Sequence, residues 1–155
     1  MNNSTFEQEL AEKGRIVYPN VGVSMRPLIR QGKDVMIIER PNGRLKRYDA
    51  ALYKRRNGTY IMHRVLRVRE KDYVICGDNC IKREYGITDD HIIGVLTGVI
   101  RGGKEIKATD RSYRIYAHLW CDFFYIKVAV LWTIWMVRKV FRKLKRIVTG
   151  ASKNK

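Results

Sequence analysis

The chain has 155 residues, 45% of them hydrophobic, and its 32 Lys and Arg against 15 Asp and Glu give a formal charge of +17. That apolar share excludes a disordered basic tail, and the length suits one domain with an appendage. Three cysteines do not frame a disulfide-stapled secreted module, and MNNSTFEQELAEKGRIVYPN, with Glu7, Glu9 and Glu12 and no apolar run, is neither a signal nor a transit peptide; a reducing, cytoplasmic setting is expected.

In chain order, residues 1–20 form an N-terminal segment with a short helix predicted over 5–13. Residues 21–110 read as a β-rich domain. DVMIIE (34–39) is a strand closed by Pro41-Asn42-Gly43, and YDAALYKR (48–55) and TYIMHRVLRV (59–68) flank the hairpin signal Asn57-Gly58. YVICG (73–77), IIGVLTGVI (92–100) and EIKA (105–108) follow as further strands. Short strands at close spacing with Gly turns predict a mainly β body, a small barrel or sandwich. From Arg111 to Gly150 neither Gly nor Pro interrupts an aromatic, then basic, stretch, so 111–150 is predicted helical, in one piece or two.

Three segments stand out within the β body: Ser24-Met25-Arg26-Pro27 followed by Gly32-Lys33-Asp34, His63-Arg64-Val65 in mid-strand, and Gly77-Asp78-Asn79 at a strand end. Singly, each has a plain structural explanation. In this order and spacing, across residues 22–100, they resemble the serine peptidases that include type I signal peptidases and SOS-type self-cleaving repressors. That clan carries a Ser-Met-x-Pro box, a Gly-Asp strand, a base-bearing strand followed by Arg-Val, and a Gly-Asp-Asn turn. Where bacterial signal peptidases and the repressors place a lysine, this chain has His63, as in the endoplasmic-reticulum and sporulation type. Imidazole, with an unperturbed pKa near ~6.5, accepts a serine proton without a large shift. Alternation puts Ile61, His63 and Val65 on one strand face and Met62 and Arg64 on the other.

The resemblance implies a peptidase of the signal-peptidase and repressor C-terminal type, with acyl transfer by Ser24 and His63 as general base. Asp78 is the first choice for the acid orienting His63, Glu84 the alternative, and Asp89 or Asp90 weaker ones; Asp78 could instead only cap its turn. Backbone N–H groups around Ser24 would form the oxyanion hole, with Met25 and Pro27 fixing the turn that presents Ser24 and, together with Val23, helping to wall the substrate groove. The implied substrate is a precursor, leader or signal-type peptide bound as an extended strand with small residues beside the scissile bond. No cofactor and no metal is expected, since Cys76 and Cys80 at C-x3-C match no strong zinc pattern. Only 23 residues precede Ser24, so the N-terminal anchor of a true signal peptidase is missing and a cytosolic precursor is the expected substrate. Two rivals are a non-catalytic membrane-docking module and a self-cleaving repressor, although residues 1–23 are too few for a helix-turn-helix domain.

The charge is unevenly spread. Residues 1–110 hold 21 Lys and Arg against 14 acids, a net of +7, whereas 111–155 hold 11 against Asp122 alone, a net of +10. Nucleic acid is therefore an unlikely partner, because the excess adjoins aromatics. The run 119–137 is long enough to cross a bilayer, but Asp122 and Lys127 would each cost about 2.5–3.5 kcal/mol near its centre. An interfacial helix avoids that cost, with Trp120, Phe123, Phe124, Trp132 and Trp135 facing the membrane and Arg138, Lys139, Arg142 and Lys143 meeting anionic lipid. Beyond Arg138, Val140, Phe141, Leu144, Ile147 and Val148 give it an apolar side. Packing on the body, dimerisation, or an integral span through 119–137 are the alternatives. His118 and Asp122 read as surface neighbours, and the basic residues Arg40, Arg44, Lys46, Arg47, Lys54, Arg55 and Arg56 as solvated turns, with contact to an acidic peptide or phospholipid as the alternative.

Overall fold

The computed structural model describes residues 5–151, with side chains as far as Lys145. α1 (Phe6–Lys13) starts on Thr5, whose hydroxyl accepts from the Gln8 N–H while the Gln8 side chain accepts from the Thr5 N–H. It ends at Gly14, whose φ of 68° is the left-handed turn that terminates a helix at low cost for glycine.

Eight antiparallel strands follow: β1 (Arg15–Pro19), β2 (Asp34–Glu39), β3 (Ala50–Lys54), β4 (Tyr60–Val68), β5 (Tyr73–Cys76), β6 (Glu84–Ile87), β7 (Ile92–Arg101) and β8 (Lys104–Lys107). They pair in the order β1-β2-β7-β3-β4-β5-β6, with β8 also on β7. The path ends at β1 and β6 without joining them, so the mainly β body is an open sheet and not a closed barrel. β1 and β6 were not expected from the sequence.

Alternation gives the sheet two apolar faces. Ile38, Leu52, Met62 and Leu96 pack with Leu10 of α1 and with Met25 and Ile29. Ala51, Tyr53, Val65, Tyr73 and Ile75 form the other cluster. The functional residues lie where these faces meet the chain's irregular segments.

The C-terminal stretch is two helices, α2 (Arg111–Asp122) and α3 (Phe124–Ala151), bent by 86° at Phe123. Tyr113, Ala117 and Cys121, at four-residue spacing, bury one side of α2 on the sheet. No Gly or Pro makes the bend. Asp122 is instead held by Arg47 (2.5 Å), the Tyr48 hydroxyl (3.0 Å) and His118 Nδ1 (3.2 Å), and the next turn folds Phe124 and Lys127 inward. Among the described residues no single helix is long and apolar enough to cross a membrane; α2 and α3 as far as Lys145 reach that length only together, across the bend. A straight span through 119–137 would run through the same bend. The side chains of Arg146, Ile147 and Val148 lie outside the described residues.

Candidate active site

The box carrying Ser24 is a coiled loop pinned at both ends. Met25 and Ile29 are buried, joined by a hydrogen bond from the Ile29 N–H to the Met25 carbonyl (3.0 Å), and the Arg26–Pro27 peptide is cis. At the far end the buried Asp34 carboxylate accepts from the Arg30 N–H (2.8 Å) and from the Arg101 guanidinium (2.8 Å). Burial opposes its ionisation, but hydrogen bonds from Arg101 and Arg30 outweigh that and hold the carboxyl well below the usual carboxylate range. Ser24 itself is partly exposed. Among the described residues its Oγ makes no hydrogen bond, and the N–H groups of Ser24 and Met25 donate to no acceptor.

His63 sits in mid-β4, opposite Ala51 of β3, and is 6% exposed. Its Nδ1 lies 3.0 Å from Glu84 Oε1 and 3.2 Å from the Tyr53 hydroxyl. Glu84 is gripped in turn by Arg55 through two bonds of 3.0 and 2.6 Å. Burial raises the Glu84 pKa, yet the bonds from Arg55 and Tyr53 and the charge of His63 bring it below the ordinary value. An ionised carboxylate only accepts, so Nδ1 carries the proton and Nε2 presents its lone pair. Burial lowers the His63 pKa, against the pull of Glu84, and keeps the imidazole neutral at pH 7.

Strand parity decides which acid meets the histidine. Glu84 of β6 registers with Ile75 of β5, and Ile75 with Val65 of β4, so Glu84 shares the face of Val65 and His63. Asp78, two residues beyond Cys76, falls on the opposite face, because Cys76 registers with Arg64. Asp78 Oδ1 and Oδ2 accept from Arg64 Nε and Nη2 (2.8 and 2.7 Å) in an ion pair 1% exposed on both sides. The Tyr116 hydroxyl donates to the same carboxylate (3.0 Å). Asp78, the first choice for the acid, is therefore turned away from His63, and Glu84 occupies that place. Asp89 and Asp90 are exposed; Asp89 pairs with Arg44 (3.1 Å).

Gly77 joins the serine and histidine segments. A β-carbon added there would lie 2.7 Å from the Ser24 carbonyl oxygen, 2.8 Å from Cys80 Sγ and 2.9 Å from His63 Nε2. The Asn79 N–H donates to that same Ser24 carbonyl (2.7 Å). Glycine here lets backbone approach backbone with the imidazole edge between. Nδ1 thus faces Glu84 while Nε2 faces the Gly77 turn on which Ser24 is seated.

Several participants escaped the sequence reading. Trp120 Nε1 donates to the Asp78 carbonyl (2.7 Å), and the buried Lys127 Nζ donates to the Gly77 carbonyl (3.4 Å) and lies 4.6 Å from the Phe124 ring centre. The corner between α2 and α3 therefore braces the Gly77-Asp78 turn. Arg55 was among residues expected to be merely solvated, and so were Arg44, Arg47 and Lys54, which pair with Asp89, Asp122 and Glu7. Only an acidic partner brought close by the fold distinguishes such an arginine.

The other expected residues divide. Val23 is exposed beside Ser24, and Pro27 lines a cavity of about 290 Å³ with Leu28, Val99, Ser112 and Tyr116. Met25 belongs to the core, so it supports the loop from beneath and does not wall a groove. Phe123, Trp132 and Trp135 are exposed. Phe124 is buried and Trp120 half-buried, both turned onto the body by the bend, which corrects their expected outward placement. Burial pushes the Cys76 thiol up to about 11, that of a core residue. No cluster of metal-ligating side chains occurs among the described residues. Neither a family model, nor a curated protein, nor a solved structure matches this chain.

Proposed function

We propose that this chain is a serine endopeptidase that processes precursor or leader peptides. The observation that carries the reading is the assembly on one sheet face of a histidine with Nδ1 on an ionised glutamate and Nε2 at the turn that seats a serine. Three distant segments contribute, and the ring's two nitrogens are distinguished as base chemistry requires. The resemblance of the Ser-Met-x-Pro box, the histidine strand and the Gly-Asp-Asn turn to signal-peptidase-like enzymes supports the same assignment.

Ser24 Oγ attacks the peptide carbonyl as His63 Nε2 takes its proton. The imidazolium, steadied by Glu84, returns that proton to the leaving amine, and water, deprotonated by His63, then resolves the acyl ester. The uncommitted Ser24 and Met25 N–H groups are the candidate oxyanion donors. Substrate comes to Ser24 from the exposed side of its loop, where Val23 offers apolar contact. Asp78 has no part in proton transfer; with Arg64 it fixes the turn.

The test is labelling by a peptidyl phosphonate, together with cleavage of co-expressed precursor peptides. Wild type should label and Ser24→Ala should not, while His63→Ala should slow labelling by about 10²–10⁴-fold. Equal behaviour of wild type and Ser24→Ala in both assays would leave a non-catalytic module on the same sheet.

A further inference from the structure

We infer that α3 docks on an anionic bilayer surface, lying along it with its apolar stripe in the acyl boundary and its basic side at the phosphates. From Phe123 to the end of the chain there is no Asp or Glu. Ile126, Val130, Val137, Phe141 and Leu144, 48–68% exposed, recur at helical spacing within roughly 60° of one side of α3 at 100° per residue. Arg138, Lys139, Arg142 and Lys143 occupy the other side. Among the described residues of α3, only Phe124 and Lys127, in its first turn, are buried. The rest carries a large exposed apolar surface, a feature that marks an interaction site.

The same stripe could in principle form the seam of a helix pair with a second copy. Charge and extent favour lipid. A second α3 brings no acid, so pairing through the stripe would leave the four basic residues on the far side unmet, whereas anionic headgroups neutralise them. The exposed apolar residues also exceed a two-helix seam: Trp132 and Trp135 lie on the basic side, among those four residues and away from the stripe, Lys139 Nζ being 5.1 Å from the Trp135 ring centre, and Ile115, Leu119 and Phe123 continue the exposure along α2 beyond the bend. Long basic side chains beside tryptophans suit the headgroup layer, where stems and rings are apolar and tips are wet. The buried Lys127, whose ammonium already meets the Gly77 carbonyl and the Phe124 ring, need not enter the hydrocarbon.

The experiment is co-sedimentation of the full-length protein with vesicles of phosphatidylcholine, with and without phosphatidylglycerol, at physiological salt. Binding should be about tenfold or more tighter to the anionic vesicles. Combined charge reversal at Arg138, Lys139, Arg142 and Lys143 should weaken it about a hundredfold, and V137Q/F141Q about tenfold, with helicity unchanged by circular dichroism. Equal binding to both vesicle types would overturn the proposal. So would absence of binding, whether accompanied by a concentration-dependent dimer that V137Q/F141Q dissolves or by salt-sensitive retention of nucleic acid. Phosphonate labelling of Ser24 is a separate readout, and neither proposal stands or falls with the other.

Discussion

The β body and α3 use the same residue types to opposite ends. In the body, basic side chains are drawn into pairs: Arg64 with Asp78, Arg55 with Glu84, Arg101 and Arg30 with Asp34, Lys54 with Glu7, Arg47 with Asp122. Tyrosines there donate to carboxylates or pack beneath strands. α3 offers its lysines and arginines no acid of its own and leaves its tryptophans exposed. Net charge alone therefore misleads. A cation that meets an acid positions structure, whereas Arg138, Lys139, Arg142 and Lys143 stand exposed where an anionic partner could reach them.

That contrast can be broken residue by residue. The largest effect belongs to Arg64→Leu, which leaves the Asp78 carboxylate buried and uncompensated. Urea unfolding should show a loss of about 3–5 kcal/mol. Gly77→Ala comes next, at about 1–3 kcal/mol, because its methyl group would meet the Ser24 carbonyl oxygen at 2.7 Å as well as the imidazole. Its phosphonate labelling should fall more than its stability suggests, since the displaced groups are the candidate nucleophile's own backbone and the base.

Glu84→Gln should cost about 1 kcal/mol of stability or less, its partner Arg55 being able to reach water, and should slow labelling by about 10²–10⁴-fold. The pH profile adds a directional check. In the proposed mechanism His63 acts as the neutral base and burial lowers its pKa, so labelling should rise with pH through a midpoint below 6.5 and already be past half-maximal at 6.5. Removing Glu84's charge takes away a contribution that raises that pKa, so the residual activity of Glu84→Gln should have a midpoint lower still. A midpoint moving upward would contradict the assigned role of Glu84. The smallest effect is expected from the four-fold charge reversal in α3, which should change unfolding free energy by less than about 0.5 kcal/mol, as exposed positions do. A loss of several kcal/mol would mean that α3's cations are structural after all.

Much of the body was legible in the sequence because its strands are short apolar runs bounded by turn chemistry, as with Ala50–Lys54 and Tyr60–Val68 about Asn57-Gly58. β1 was not, since only Ile16 of its five residues is buried and no alternation marks it. β6 is short, and its only buried residue is Ile87. The approach of Glu84 to His63 rests on that unseen strand and on two successive ladders, so the sequence offered Glu84 only as an alternative candidate acid. Strand alternation alone already sets His63 and Arg64 facing apart, so that one acid cannot serve both. The helix bend was hidden for a different reason. It is enforced by Arg47 and Tyr48, about 75 positions away from the aspartate they hold, and not by a local breaker.

The contact between Lys127 and the Gly77 carbonyl fixes a height. The turn beneath Ser24 and His63 lies against the first turn of α3, within roughly one helix diameter, about 10–12 Å, of its axis. With α3 lying along a bilayer, the proposed nucleophile Ser24 would work in the headgroup fringe and not out in bulk water. Cleavage would then be rationed by reach: a bond held close to the surface is within range, while one carried on a long soluble stalk passes overhead.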